Sequence, residues 1–394
     1  MWPGGGELDV VPGRGTHRHG PWAGPKPDDE KPWVGPRDHG HWTTPYSEVM
    51  YASELDLLLG AGIKRSAWGL RSLPEASLQD VSFLWSTGEG EGRLSYSGVF
   101  RDPGSRAALA LEGLASGIER INFFGYGNET VKPGSKDEYR TFENVYSLKP
   151  SLRLELADEL QVHADAVLRL SDTPTDRDNV LNQVQAYGRG RFAEAGLRAG
   201  VRYDSRGVGE SLLSGGLFET VAPDGKRLLD GRVEASTLYF PALLDVEQGF
   251  GGVEGEVAGH LGRSSSPVQL AARLGGRRLW GTYPWLESAF IGGRASLRGY
   301  SRNRFAGDGS LYGSLEARLW IFTANVPPIP LRVGALGFGD VGRVWLSGEA
   351  SEVWHPSWGG GVMLQPVATP YAITVAWASG REGSRWYFGY GFFF

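Results

Sequence analysis

From Trp386 to the C-terminus every second residue is aromatic: Trp386, Phe388, Tyr390, Phe392 and Phe394. The other register holds Tyr387, Gly389, Gly391 and Phe393. A period of two places all five even positions on one face of a β-strand. Five aromatics on one face invite aggregation in water, but they suit a surface that meets lipid, with aromatic girdles at its two interfaces. A soluble sandwich would need a second layer over that face. The sequence offers no amphipathic helix to supply one.

The same alternation recurs upstream. Leu152, Leu154 and Leu156 alternate with Ser151, Arg153 and Glu155. Val162, Ala164, Ala166, Leu168 and Leu170 alternate with His163, Asp165, Val167 and Arg169. Leu197, Ala199, Val201 and Tyr203 alternate with Arg198, Gly200, Arg202 and Asp204. Leu315, Ala317, Leu319 and Ile321 alternate with Ser314, Glu316, Arg318 and Trp320, and Ile373, Val375 and Trp377 with small residues. In the first four runs one face is apolar and the other mostly polar, with Val167 and Trp320 as exceptions. Strands with one face on lipid and the other on a polar lumen explain this best.

Composition agrees once it is read for strands rather than helices. Hydrophobic residues are 41% of the 394 and mean hydropathy is −0.27, values that resemble a soluble protein. No stretch approaches the ~18 consecutive apolar residues of a membrane helix, which excludes a helical membrane protein. A barrel strand shows lipid only its alternate residues and escapes that criterion. The absence of cysteine rules out thiol catalysis and disulfide scaffolding. A formal charge of −5 argues against nucleic acid as a partner.

Turn signals punctuate the chain at Asp102-Pro103-Gly104, Lys132-Pro133-Gly134, Pro223-Asp224-Gly225 and Ser347-Gly348. The spacing predicts about sixteen strands between residues 54 and 394, at ~21 residues per strand and connection, enough for the ~9–11 that cross a bilayer. The expected fold class is therefore all-β, a transmembrane antiparallel β-barrel over residues 46–394. Residues 1–45, rich in Pro, Gly, Trp and His, lack any period and read as an arm or linker. Their His17, His19, His39 and His41 could bind a metal, but incidental linker histidines are the better reading, and no metal or cofactor is expected. No signal peptide follows Met1, so the start reads as that of a fragment or a misassigned gene.

One connection breaks the rhythm. Residues 282–308 carry Arg294, Arg298, Arg302 and Arg304. Four arginines are too basic for lipid; they either face water or fold back onto lumen carboxylates. Glu316 lies on the polar register of the next strand and Asp340 on the strand after it. Antiparallel neighbours can bring two such carboxylates to one guanidinium fork. From charge alone both placements remain open.

These residues also carry a resemblance. Leu297-Arg298-Gly299-Tyr300 resembles the (V/L)RG(F/Y) motif of the BamA/TamA family, the bacterial surface-antigen barrels of the outer membrane. Gly313-Ser314-Leu315-Glu316 is similar to the family's GxxE motif, and Phe338-Gly339-Asp340-Val341-Gly342 to its FxDxG motif, in family order and ahead of the terminal Phe394. The resemblance is sharpest over residues 285–394. It implies a sixteen-stranded barrel whose sixth extracellular loop tucks into the lumen, where Arg298 pairs with Glu316 and Asp340. It further implies insertion of barrel proteins or movement of polypeptides across the outer membrane. Residues 1–45 are too short and irregular for one of the periplasmic POTRA modules that family insertases carry.

Three functions follow as expectations. The first is polypeptide handling through a weak seam between first and last strands, suggested by Gly389 and Gly391 in the last strand and Gly60 and Gly62 in the one read as first. The second is a passive pore, or a membrane anchor for a missing N-terminal enzymatic domain. The third, catalysis by this chain, is not expected: no nucleophile elbow, phosphate loop or HExxH is present, and of the histidines outside the arm, His163, His260 and His355, the first two lack an obvious serine partner. The expected partners of this monomer are outer-membrane lipid and client polypeptides.

Overall fold

A computed structural model describes residues 39–52, 56–69, 75–102, 105–205, 228–263, 265–325, 330–367 and 372–390. The first strands are β1 (His41–Ala52), β2 (Asp56–Ala67), β3 (Ser77–Ser86), β4 (Gly92–Arg101), β5 (Ala107–Asn122) and β6 (Arg140–Ala157). There follow β7 (Leu160–Asp172), β8 (Phe192–Asp204), β9 (Leu229–Phe240), β10 (Phe250–Leu261) and β11 (Val268–Trp280). Two short strands, β12 (Ala289–Ile291) and β13 (Phe305–Gly307), form a separate two-stranded sheet. The last five are β14 (Gly309–Ala324), β15 (Leu331–Trp345), β16 (His355–Pro366), β17 (Ile373–Gly380) and β18 (Gly383–Tyr390).

Apart from β12 and β13, the strands form one sixteen-stranded sheet in chain order. Every ladder is antiparallel, so alternate connections emerge at the same end. The sheet curls around the segment that joins β11 to β14. Arg302 of that segment lines a cavity together with Tyr46 of β1, Asp80 of β3 and Arg169 of β7. Tyr387 of β18 donates a hydrogen bond to the backbone oxygen of Arg298 in the same segment. First and last strands thus face one interior, and the molecule is an antiparallel β-barrel with a long loop folded into its lumen.

The period-two patterns give the two faces directly. On β14, Leu315 is 67% exposed on the outer wall, while Glu316 and Arg318 are buried inside. On β18, Trp386 and Phe388 point outward, 65% and 71% exposed, and Tyr387 points in. Outward-facing Trp280, Trp345 and Trp358 stand near the loop end of their strands. Such a continuous apolar exterior matches a lipid-facing wall. No helix among the described residues is long and apolar enough to cross a membrane. Both exceptions to the polar register pack inside: Trp320 against Leu336, Phe338 and Met363, and Val167 against a cluster built on Phe192, Leu238 and Phe250.

Two expectations about the N-terminal half need correction. The sheet begins at His41, inside the stretch read as arm, and residues 56–67 form the second strand rather than the first. Pro45 disguises the real first strand, because proline cannot donate to a ladder; β1 pairs only with β2 among the described residues, and such an edge tolerates it. Gly60 and Gly62 therefore do not flank the seam. They make room: a Cβ at Gly62 would collide with the ring of Tyr46, and one at Gly60 would stand 2.7 Å from Leu84. Residues 1–38, Gly391, Phe392 and Phe394 lie outside the described residues, as does the side chain of Tyr390.

Candidate functional site

The loop from Gly281 to Asp308 leaves β11 and returns to β14 at the loop end of the barrel. Its β12–β13 pair closes a ribbon, and beyond it Gly292 and Gly293 turn the chain inward with φ of 122° and 84°, values that L side chains rarely adopt. The turn is held by the Gly292 amide on Ser296 Oγ at 2.7 Å and the Gly293 amide on the Leu297 carbonyl. This delivers Arg298 to the inner wall, where it is fully buried.

There the guanidinium divides itself between two carboxylates. Nη1 donates to Glu316 Oε2 at 2.6 Å, Nη2 to Asp340 Oδ1 at 2.6 Å, and Nε to both Asp340 oxygens at 3.0 and 3.1 Å. The Arg298 backbone amide adds a bond to Asp340 Oδ2 at 3.0 Å. Arg318 Nε meets the remaining Glu316 oxygen at 2.7 Å, and Ser357 Oγ donates to Asp340. Two arginines against two carboxylates leave the cluster formally neutral. That balance, with each carboxylate oxygen hydrogen-bonded, lets charged groups reside at full burial. The Arg298 guanidinium also lies over the Phe338 ring, 3.6 Å from its centroid.

The neighbouring motif residues divide into those the geometry needs and one it does not. Phe338, Asp340 and Gly342 share the inward register of β15: one stacks, one pairs, and the third leaves space for Leu297. A Cβ at Gly299 would stand 2.6 Å from Ser357 Cβ and 2.7 Å from the Gly380 nitrogen, so only glycine fits between the walls. Tyr300 is buried, donating to the Pro356 carbonyl at 3.2 Å and packing edge-on to Phe305. Gly313 sits on the outward register, where a Cβ would meet nothing within 3.7 Å. Gly389 faces Arg294, whose Nη1 would lie 2.9 Å from an added Cβ.

Further ties went unseen in the sequence. Arg277 of β11 donates to the loop's Glu287, and Arg169 and Arg198 lie within electrostatic reach. Burial alone would push the Glu287 carboxyl up, but these three arginines outweigh it and hold it below the ordinary carboxylate range. Asn128, in the β5–β6 connection, crosses the mouth of the barrel. Its amide nitrogen donates to Ser351 Oγ and the Val353 carbonyl, each at 2.8 Å, and its oxygen accepts from the Val344 amide. Arg304 joins three segments, as described below. No local pattern could have shown these contacts, since most join residues more than seventy positions apart.

The loop does not fill the interior. Between it and β1–β7 lies a cavity of about 760 Å³ whose walls carry both charges and hydroxyls, among them Lys64, Asp80, Ser97, Glu112, Lys149 and Arg302. His163 stands 3.8 Å from Asp165, and His355 is stacked on Phe305, its Nε2 within 2.9 Å of the Asn128 carbonyl. Among the described residues no group of three or more His, Cys, Asp or Glu side chains is placed to hold a metal ion.

No protein-family model matches the sequence, and no curated protein resembles it significantly. Solved structures do. BamA from Haemophilus ducreyi lacking POTRA domains 1–3 superposes with a TM-score of 0.56 at 12% identity, over 89% of this chain and 68% of that one. CdiB from Escherichia coli gives 0.54 at 12% identity, over 88% of this chain and 60% of that one. The chain thus spans about two thirds or less of these proteins, and the likeness is one of fold.

Proposed function

We propose that the chain is an outer-membrane barrel that handles polypeptides, inserting them into the membrane or moving them across it. The observation that supports this most is the conjunction of a BamA- and CdiB-like sixteen-stranded fold with a lumen loop fixed by Arg298 on Glu316 and Asp340. The motif resemblance points the same way. In this reading the aromatic exterior meets outer-membrane lipid, the long loops face outward from the cell, the barrel is a monomer, and its partners are client polypeptides. The chain itself performs no catalysis.

The work would be done at the seam. Gly389 weakens β18, and the loop holds that strand from inside through Tyr387. Because the chain has no native cysteine, a pair introduced on β1 and β18 is an unambiguous lock. Oxidising it in the producing cell should lower the amount of a subset of outer-membrane or secreted proteins, and reduction should restore them. Unchanged levels in the fully locked form would remove this mechanism. A second reading, a passive pore or the membrane anchor of a separate enzymatic domain, is favoured by the cavity beside the loop, whose walls carry charges and hydroxyls. Steady solute-permeable conductance, with no effect on other membrane proteins, would select it.

A further inference from the structure

Arg298 is one of two buried arginines by which the loop is held, and the second is bound very differently. Arg304 is 1% exposed. Its Nε donates to both oxygens of Glu382 at 2.8 Å, and Nη1 donates to Thr130 Oγ1 at 2.6 Å, with Nη2 on the Thr130 carbonyl. The guanidinium lies 4.9 Å from the Phe124 ring centroid and 4.6 Å from that of Phe305. Three chain segments therefore converge on one side chain: the lumen loop, the β5–β6 connection that crosses the mouth, and the two-residue turn between β17 and β18.

We infer that Arg304 is a releasable latch, which makes opening of the barrel mouth and movement of the last hairpin a single event. The contrast with Arg298 carries the argument. The partners of Arg298 stand on the paired strands β14 and β15, with side chains wholly shielded from water. Those of Arg304 stand on a turn and a connection, and the Glu382 side chain is 22% exposed. Water and ions can compete at the second site and not at the first.

The consequences of release follow from what else holds the hairpin. Among the described ladders β18 pairs with β17 alone. The inner face of the hairpin rests on the loop instead: on β18 Arg385 donates to Ser301 Oγ at 2.6 Å and Tyr387 to the Arg298 carbonyl at 2.6 Å, and on β17 Gly380 lies against the Tyr300 ring. On the other side, the Gly127 amide donates to the Ala306 carbonyl, two residues from the latch. Freeing Arg304 removes a charged contact that joins the crossing connection to the hairpin, while Arg298 keeps the base of the loop in place.

The test uses the full chain in lipid bilayers, with Glu382→Ala, Glu382→Gln and Thr130→Val, read by amide hydrogen exchange and by single-channel conductance. Neither readout involves a client, so a negative result leaves the polypeptide-handling reading standing. Glu382→Ala should speed exchange about tenfold in both residues 123–131 and residues 372–390, and raise the frequency of channel opening. Glu382→Gln, which keeps the shape and loses the charge, should do so to a smaller extent. Faster exchange confined to the turn itself, or wild-type exchange throughout, would overturn the latch. Thr130→Val guards against misfolding of the turn variants: it should speed exchange at 372–390, far away in sequence, and wild-type exchange there would equally overturn the inference.

Discussion

Replacing Arg298 by alanine strips Glu316 and Asp340 of the guanidinium they share in the barrel wall, while Arg318 stays on Glu316. Removing one partner of a buried pair costs about 3–5 kcal/mol, and Arg298→Ala should lower unfolding free energy by that amount in a detergent gel-shift titration. Arg298→Lys keeps the charge but cannot fork between two carboxylates, so a smaller loss of about 1–3 kcal/mol is expected. Two glycines of neighbouring motifs should behave in opposite ways. Gly299→Ala drives a methyl group into Ser357 and Gly380 and should destabilise by about 1–3 kcal/mol, whereas Gly313→Ala, whose methyl makes only ordinary contacts at 3.7–3.8 Å, should stay within about 0.5 kcal/mol of wild type. Equal effects at the two positions would show that the loop does not sit against β16 and β17.

At the scale of the element, the lumen loop is held at both of its halves by charges of opposite sign. Glu287 reaches the arginines of β7, β8 and β11, and Arg298 reaches the carboxylates of β14 and β15. Because the folded Glu287 carboxyl titrates below its unfolded value of about 4.3, its contribution is fully present above that pH. It is lost as pH falls through the folded value. Acidification well below that value should therefore expose the 281–291 half of the loop to an acid-active protease such as pepsin, and Glu287→Gln should show the same exposure to proteinase K already at neutral pH. The sequence disclosed these elements unevenly. The outward Leu315, Leu319 and Phe388 were legible because lipid demands a period of two, whereas charge alone left the placement of Arg298 open and only the motif resemblance pointed to its two carboxylates. Strand β1 was hidden by Pro45, whose place in a strand is explained by β1 having β2 as its one ladder partner among the described residues. Glu382, Thr130 and Asn128 were hidden because their roles arise only when the ends of several strands meet around the mouth.

The whole molecule is an inside-out arrangement in which the apolar side chains face away from the ion pairs. Its lumen holds the anchored loop and, beside it, a cavity lined by β1–β7. Both the function and the latch depend on that wall meeting lipid. The most direct measurement is a single-cysteine scan of β14 from Ser314 to Ile321 in bilayers, each label read by a quencher confined to the acyl chains. Labels at 315, 317, 319 and 321 should be quenched and those at 314, 316, 318 and 320 should not, a strict period of two. Uniform access to water-soluble quenchers along all eight positions would contradict the account.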